Sequence, residues 1–222
     1  MGLLKPVEFL VNGVCKPIGT GFLLGPSVVI TNYHVMKSVI TNKVRPEDVV
    51  LRFDYKEEAN GVKVPEGREY RLATDWWVSD SPVNQLDYAL VRLASNAGGE
   101  ILRDNPGISR GWLTPEEHEF AAGEPLFILQ HPEGNPLRVA FDRVERVLQG
   151  AKITRVTYRT NTKRGSSGSP CFTINWGLVA LHHGFDEDDP DYPNEGIPFA
   201  AILDKVQITA DHAASTSAPR VH

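Results

Sequence analysis

The sequence predicts an all-β protein of the barrel or sandwich class. Short apolar and β-branched runs recur along the chain, and turn residues such as Asn12-Gly13 and Gly25-Pro26 separate them. The 19 glycines and 16 prolines favour many short strands over long helices. A length of 222 residues is ordinary for an all-β protein made of two packed barrels, and 41% hydrophobic residues suffice to fill their cores.

The predicted strands fall into two sets along the chain. The first set is Val7–Val14, Gly21–Leu24, Val28–Thr31, Val49–Phe53, Tyr70–Trp77 and Tyr88–Ala94. The second set is Pro125–Gln130, Leu137–Phe141, Arg143–Gln149, Ile153–Thr160, Ser169–Ile174, Gly177–His182 and Ile197–Ile202. Few helices are predicted: Thr114–His118 offers an N-cap with proline at the first helical position, and residues 203–213 suit a terminal turn of helix.

The gap between the two sets of strands predicts the domain organisation. Residues 1–108 are expected to form an N-terminal barrel, residues 109–118 a linker and residues 119–208 a C-terminal barrel, together one domain. Residues 209–222 are rich in Ala, Ser and Pro and are expected to be a tail or a linker. A site assembled from both halves would lie in the groove between them.

The composition of the chain limits which binding partners and which cellular compartment are expected. A net charge of −5 provides no basic field for nucleic acid or anionic lipid, so neither nucleic acid nor a membrane is expected as a partner. The two cysteines, Cys15 and Cys171, form at most one disulfide and are expected to be free thiols in a reducing compartment. The N-terminus lacks the pattern of a signal peptide, and no apolar stretch has the length of a membrane span. A cytoplasmic protein is therefore expected.

The run Gly165-Ser166-Ser167-Gly168-Ser169-Pro170 predicts a serine nucleophile. Ser167 alone among its serines has a glycine two positions before it and another directly after it, which lets the backbone turn sharply. Ser166 and Ser169 compete for the role, but Ser169 precedes a proline and is expected to enter the next strand. The backbone N–H groups of Gly165 and Ser167 are predicted to form an oxyanion hole.

Two earlier residues complete a predicted triad. A serine hydroxyl needs a base within hydrogen-bond reach, and the base needs an acceptor that fixes its tautomer. His34 follows the strand Val28–Thr31 and is the predicted base, and Asp87 opens an apolar strand and is predicted to orient it. The order His, Asp, Ser along the chain is that of the chymotrypsin-type triad and predicts peptide-bond hydrolysis. Neither a zinc-binding spacing nor a nucleotide-binding motif is present in the sequence, so no metal or cofactor is expected.

These motifs resemble the chymotrypsin-like (trypsin-like) serine peptidase family, and within it the bacterial glutamyl-endopeptidase and HtrA-like branch. The shared motifs are Thr-Gly-Phe at 20–22, Thr-Asn-x-His-Val at 31–35, Asp-x-Ala-Leu at 87–90 and Gly-x-Ser-Gly-Ser-Pro at 165–170. The resemblance covers about Gly19 to Ile202 and implies two packed antiparallel six-stranded β-barrels with the active site in the cleft between them. Ser166 stands where vertebrate trypsin has the aspartate that receives a newly cut N-terminus, so activation by that salt bridge is not expected.

The resemblance also implies a pocket for the P1 residue, the substrate residue before the scissile bond. Asn161 and Thr162 precede the nucleophile, and the later strand ends in His182-His183-Gly184. Thr162 with His182 looks like the Thr-plus-His pair of glutamyl endopeptidases and picornaviral 3C-type peptidases, with His183 as the other histidine that could align there. A hydroxyl and an imidazole can donate hydrogen bonds to a carboxylate or an amide, so Glu or Gln is expected at P1, with Asp as a further candidate.

Several alternatives stay open at this point. A carboxylate from the acidic run after the pocket strand would select Lys or Arg if it entered the pocket, although such a run is also typical of a solvated loop. The run comprises Asp186, Glu187, Asp188, Asp189, Asp191 and Glu195. The chain could also be an esterase with the same triad, or a latent or inactive module that keeps the peptide-binding cleft. The expected partner is a protein or peptide substrate, and the resemblance favours limited cleavage of an effector or signalling protein.

Overall fold

The structure is a computed structural model. It describes residues 4–11, 14–55, 67–102, 105–149, 154–184 and 193–206.

Strands dominate both halves of the chain. Those of the first half are β1 (Leu4–Val11), β2 (Val14–Leu23), β3 (Val28–Thr31), β4 (Val49–Phe53), β5 (Arg68–Tyr70), β6 (Leu72–Ser81) and β7 (Tyr88–Leu93). A short ribbon follows, made of β8 (Ile101–Leu102) and β9 (Asn105–Ser109). Those of the second half are β10 (Pro125–Gln130), β11 (Arg138–Gln149), β12 (Thr154–Tyr158), β13 (Pro170–Phe172), β14 (Leu178–Gly184) and β15 (Asn194–Pro198). The helices are α1 (Tyr33–Ile40) and α2 (Phe199–Lys205), and 3₁₀ turns lie at Pro46–Asp48 and Pro132–Gly134.

The strands pair into one curled sheet and one closed barrel. The first sheet has the order β5-β4-β1-β2-β3-β7-β6, and the second closes as β10-β11-β12-β15-β14-β13. The chymotrypsin-like all-β class is thus confirmed, with one difference from the two six-stranded barrels expected. In the described part of the chain, β5 and β6 are the free edges of a seven-stranded first sheet. Only Arg71 separates these two strands, which is too short a connection for them to turn and pair with each other.

Buried side chains form three contiguous clusters that explain how the halves hold together. The first sheet packs its own core around Val35, Met36 and Phe53, and the barrel interior is filled around Ile128, Tyr158 and Val179. The third cluster joins the halves, because first-sheet residues meet barrel residues there. Its members include Phe22, Ile30 and Leu90 from the first sheet and Leu129, Leu181 and Phe199 from the second half. Burial of this shared apolar surface sets the position of one half against the other.

The helical prediction at Thr114–His118 is wrong, whereas the one at residues 203–213 overlaps the observed helix at 203–205 and extends beyond the described residues. Thr114–His118 forms no helix, because the Glu116 N–H donates to the Leu178 carbonyl at 2.8 Å and Pro115 bridges to the same residue. The connection is thereby held extended along β14. The terminal helix α2 begins at Phe199 instead of near residue 203, and residues 207–222, including the predicted tail, lie outside the described residues.

Both cysteines of the chain lie among the described residues. Cys15 is half-buried and Cys171 is buried, and both are free thiols. Burial raises the pKa of the Cys171 thiol to about 12.

Among the described helices, none combines the length and the apolar character that crossing a membrane requires.

Candidate active site

A cleft of about 800 Å³ opens between the first sheet and the barrel. Apolar side chains of the first half, among them Phe9, Ile18 and Val35, form one wall. The opposite wall is polar and comes from two barrel segments, residues 163–165 and 167 before β13 and residues 182–184 at the end of β14. His34 and Ser167 both line this cleft, although the two residues belong to different halves.

His34 is placed by the change from strand to helix. Strand β3 ends at Thr31, Asn32 has an extended conformation at the N-cap, and His34 lies in the first turn of α1. The imidazole Nδ1 and the backbone N–H of His34 both face the Asp87 carboxylate, at 2.7 Å from Oδ2 and 3.0 Å from Oδ1. Two bonds from one residue to both carboxylate oxygens fix the orientation of the imidazole ring. The side chain is about one-third exposed on the cleft side.

Asp87 is completely buried, in a backbone conformation that needs support. Its φ is +40°, which is uncommon for a residue other than glycine. The Asn32 amide donates to the Asp87 carbonyl at 2.9 Å, and the Asp87 N–H donates to the Pro82 carbonyl at 3.1 Å. Burial raises the pKa of the Asp87 carboxyl, but hydrogen bonds from His183 and His34 outweigh burial and hold that pKa below its usual value. The group is therefore an ionised acceptor at neutral pH.

A second histidine contacts the same carboxylate oxygen. His183 Nδ1 lies 2.7 Å from Asp87 Oδ2, and the His34 and His183 rings meet edge to face with centroids 5.6 Å apart. His34, Asp87 and His183 are also residues of types that bind metal ions, and their ligand atoms all lie within 4.8 Å of one another. However, the 2.7 Å contacts are hydrogen-bond lengths and are shorter than the separation of roughly 3.3 Å between ligand atoms around zinc. Hydrogen bonding therefore accounts for this cluster.

Ser167 is the accessible serine of its loop. Ser166 and Ser169 are buried, whereas Ser167 is partly exposed and lines the cleft. The flanking glycines have φ of +89° at Gly165 and +85° at Gly168, so the glycine-dependent turn predicted from the sequence is present. A Cβ at Gly168 would lie 2.1 Å from the Thr20 carbonyl oxygen. In the described part of the chain, no hydrogen bond joins Ser167 Oγ to His34.

Thr20 connects the first sheet to the serine loop. Its backbone N–H donates to the Ser167 carbonyl at 2.7 Å, and its hydroxyl donates to the Gly165 carbonyl at 2.7 Å. The Thr31 hydroxyl in turn donates to the Thr20 carbonyl at 2.7 Å. Sequence reasoning used Thr20 only as part of a motif and missed this role. The position of Thr20 between Gly19 and Gly21 was the available signal, because glycines permit close backbone approach.

The peptide between Arg164 and Gly165 is held in one orientation. The Arg164 carbonyl accepts a hydrogen bond of 2.5 Å from the Glu133 N–H, in the 3₁₀ turn Pro132–Gly134. In a trans peptide the carbonyl and the next N–H point in opposite directions, so the Gly165 N–H points away from that turn. Within the described residues, the N–H groups of Gly165 and Ser167 have no protein acceptor. Both predicted oxyanion donors are thus available to a ligand.

Ser166 closes the same loop locally. Its N–H donates to the Lys163 carbonyl at 3.0 Å, and its hydroxyl accepts from the Lys163 N–H at 3.3 Å. The Lys163 ammonium also pairs with the Glu133 carboxylate at 3.1 Å. These contacts stabilise the loop with groups of Ser166, Lys163 and Glu133.

His182 forms a buried wall of the cleft. Its side chain is only 1% exposed, and its Nδ1 lies 2.7 Å from the Tyr158 hydroxyl. Burial lowers the pKa of His182 to about 3, so the ring is neutral at physiological pH. The Tyr158 hydroxyl has one proton and three partners within reach, which are His182 Nδ1, the Glu195 carbonyl at 3.0 Å and Cys171 Sγ at 3.7 Å. Either tautomer of His182 can therefore form.

The other predicted pocket residues occupy different positions. Gly184 lines the cleft, and a Cβ there would lie 3.5 Å from Ser167 Oγ. Asn161 and Thr162 are not among the lining residues. The Thr162 hydroxyl donates to Asn194 Oδ1 at 2.5 Å, and the Asn161 carbonyl accepts from the Gln130 amide at 2.9 Å. These bonds join the segment before the nucleophile to Asn194 of β15 and Gln130 of β10.

Of the acidic run, only Glu195 lies within the described residues. It lines the cleft, and its carboxylate lies 3.6 Å from Arg155 Nε, with both side chains largely buried. Asp186, Glu187, Asp188, Asp189 and Asp191 lie outside the described residues.

Comparison with known proteins finds a matching family model and two curated relatives. The family model described as trypsin-like peptidase domain matches residues 19–181. An uncharacterized protein of Sinorhizobium fredii is 30% identical over 174 residues, which is 74% of this chain and 25% of that protein. A Lysobacter enzymogenes protein named "Probable serine protease" is 27% identical over 216 residues, which is 85% of this chain and 31% of that protein. The chain thus spans between a quarter and a third of the length of these relatives.

Solved structures show the same fold in proteases of different activity. The active form of the Rv3671c protease of M. tuberculosis has a TM-score of 0.60 at 16% identity, covering 99% of this chain and 84% of that one. The HtrA-type protease AlgW with a tripeptide has a TM-score of 0.65 at 13% identity, and the match covers 96% of this chain and 61% of that one. An inactivated protease paralogue of the scabies mite has a TM-score of 0.67 at 13% identity, covering 95% of each chain. At such identities the likeness concerns the fold alone.

Proposed function

This chain belongs to the trypsin-like peptidase domain family, and we propose that it is a serine endopeptidase with a triad of Ser167, His34 and Asp87. The observation that carries the proposal is the buried Asp87 carboxylate, which holds His34 Nδ1 at 2.7 Å. This leaves the other ring nitrogen of His34 as a base in the cleft that Ser167 lines. Ser166 and Ser169 are buried and cannot take the place of Ser167.

The proposed reaction follows the roles of these groups. His34 Nε2 takes the Ser167 hydroxyl proton while Ser167 Oγ attacks the scissile carbonyl carbon. The tetrahedral oxyanion accepts hydrogen bonds from the N–H groups of Gly165 and Ser167. The C–N bond then breaks as His34 returns the proton to the leaving amine, which forms the acyl-enzyme. Water, deprotonated by His34, hydrolyses the ester and restores Ser167.

We also propose a preference for Gln and Glu at P1, with Gln favoured. His182 is neutral and can present Nε2 either as a donor or as an acceptor, depending on its tautomer. The Gln side chain can pair with either form, because an amide both accepts and donates. A Glu carboxylate only accepts, and it would lose its hydration beside an uncharged ring. Asp is shorter by one methylene and reaches His182 less well.

Selection of Lys or Arg by the acidic run is the less favoured specificity. Glu195 lines the cleft, but its carboxylate already faces Arg155 at 3.6 Å. A basic P1 side chain would have to compete with that guanidinium. A cleavage profile on a diverse peptide library separates the two: Gln and Glu at P1 support the role of His182, and Lys or Arg implicates the acidic run.

A latent or inactive peptide-binding module is the second candidate function. It is favoured by one observation, the lack of a Ser167–His34 hydrogen bond in the described part of the chain. A catalytic hydrogen bond in an unliganded site is often long and tightens only on substrate binding, so the active proposal remains the stronger one.

Labelling with a fluorophosphonate probe tests the active proposal. We expect the probe to label the native chain but not the Ser167→Ala or His34→Ala variant. The Ser166→Ala variant should keep measurable labelling, because residue 166 lies outside the cleft. If the native chain resists the probe while an active relative reacts, the peptide-binding module becomes the better account. The proposed biological role is limited cleavage of a partner protein in the cytoplasm. The matched part of each curated relative is only 25% or 31% of its length, so there the matched segment is one part of a longer protein.

A further inference from the structure

Three consecutive residues at the end of β14 face three different parts of the active site. His182 forms the pocket wall beside Tyr158, His183 contacts Asp87, and Gly184 lies against Ser167. Both histidines line the cleft, but their Nδ1 atoms have different partners, Tyr158 for His182 and Asp87 for His183. His183 therefore has a contact with the triad acid in addition to the pocket role that the sequence suggested for it.

The Asp87 carboxylate has three donors and no solvent contact. Oδ1 accepts from the His34 N–H, and Oδ2 accepts from both imidazoles at 2.7 Å. Because an ionised carboxylate only accepts hydrogen bonds, both rings must carry a proton on Nδ1. His34 is thereby left with its Nε2 lone pair toward the cleft, which is the form required of a general base.

We propose that His183 is a positioning residue of the catalytic site, which orients the Asp87 carboxylate and through it the ring of His34. The inference rests on the proposed Ser167–His34–Asp87 triad. Both bonds from His34 hold the carboxylate from the first-sheet side, and the second donor at Oδ2, from the barrel side, further limits its rotation about the terminal torsion. The two donors come from opposite halves of the molecule, so His183 also ties the barrel to the first-sheet part of the triad.

The burial of Asp87 makes the loss of its hydrogen bond from His183 costly. Without His183, one lone pair of a completely buried carboxylate would have no partner, and an unmade bond to a buried charged group is costly. The hydrogen bond from His183 also contributes to the low pKa of Asp87, as does the bond from His34. The edge-to-face contact with His34, at 5.6 Å between centroids, further restricts how far the His34 ring can swing.

Two nearly isosteric variants separate the donor from the packing. His183→Asn places an amide donor near the position of Nδ1, and His183→Leu fills a similar volume without a donor. We expect His183→Leu to lower kcat on the best library peptide roughly 10- to 100-fold with KM within about twofold, and His183→Asn to recover most of that loss. His183→Gln, whose donor lies near the position of Nε2, is expected to recover little. The rate of fluorophosphonate labelling should follow the same order.

A double-mutant comparison tests whether His183 acts through Asp87. In an Asp87→Ala background, His183→Leu is expected to change kcat by less than about twofold, because its acceptor is already gone. An equal loss in both backgrounds, or a rise in KM with kcat retained, would overturn the proposal and make His183 a substrate contact or a packing residue. If Ser167→Ala retains full activity, the triad itself is wrong. If Ser167→Ala is inert while His183→Leu is fully active, only this inference fails.

Discussion

The backbone N–H of Thr20, in the first sheet, donates a hydrogen bond of 2.7 Å to the carbonyl of Ser167, in the barrel half. The Thr20 hydroxyl makes a second bond, to the Gly165 carbonyl, so one buried residue holds both ends of the predicted oxyanion loop. The catalytic geometry therefore depends on how the two halves dock, because the loop is braced by a residue from the opposite half.

The first prediction concerns the Thr20 hydroxyl. Thr20→Val keeps the shape of the side chain, leaves the partly buried Gly165 carbonyl without this donor and leaves the His131 N–H without this acceptor, which should cost about 1–3 kcal/mol of folding free energy. We expect kcat to fall about tenfold, because the loop loses one of its two cross-half bonds. Urea unfolding and peptide hydrolysis measure the two effects. Thr20→Ser is the matched control and should behave nearly like the native chain; an equal loss in both variants would show that the methyl group matters instead.

The second prediction concerns the nucleophile. Ser167→Ala should lower kcat by about 10⁶ if the three residues act as a unit, and His34→Ala should cost about as much. The double variant should then be little worse than either single one. Steady-state hydrolysis of the best library peptide is the measurement, and the fold is checked by circular dichroism. A loss of only a few-fold in Ser167→Ala would assign the nucleophile to another residue.

The third prediction is a pH dependence of stability that arises from His182. The ring is neutral in the folded protein down to a pKa of about 3, whereas an unfolded histidine titrates near 6.5. Between these values the unfolded chain binds the extra proton, so stability is full above about pH 6.5 and is lost as the pH falls. The free energy of unfolding should decrease by up to about 1.4 kcal/mol for each pH unit from this group.

Urea titrations at several pH values between 4 and 8 check this prediction. His182→Gln removes the titrating ring and keeps a polar side chain, so its stability should vary less steeply between pH 6 and pH 4. Identical pH slopes in the two proteins would mean that His182 is protonated in the folded state. In that case the P1 pocket is cationic and a Glu preference replaces the Gln preference.

The fourth prediction concerns Gly168. Its φ is +85°, and a Cβ added there would lie 2.1 Å from the Thr20 carbonyl oxygen, so the loop has no room for a side chain. Gly168→Ala should therefore destabilise the fold by more than about 2 kcal/mol and abolish labelling of Ser167. Gly25→Ala is the control, because a Cβ there meets only Val28 atoms at 3.7 Å or more. Thermal unfolding compares the two, and a stable, active Gly168→Ala would show that the loop has another conformation.

Sequence reasoning identified the chemical groups of the site but not all of their contacts. The glycines around Ser167 distinguished it from Ser166 and Ser169, and the structure separates the same serines by burial. The pairing of His34 with Asp87 also followed from residue type and order. By contrast, the seven-stranded first sheet was not predictable, because strand count in a sheet depends on pairings between distant segments.

Local pattern by itself determined the all-β class, the glycine-dependent turn at Ser167 and the candidate members of the triad, because strand periodicity and turn chemistry act over a few neighbouring residues. Only the tertiary structure decided that His183 faces Asp87, that Thr20 holds the serine loop and that the Thr162 hydroxyl pairs with Asn194. His183 and Asp87 are 96 positions apart along the chain, and Thr20 and Gly165 are 145 apart. Such contacts arise when buried apolar surfaces bring the two halves together, and a buried polar side chain then pairs with whichever group that docking places within hydrogen-bond reach.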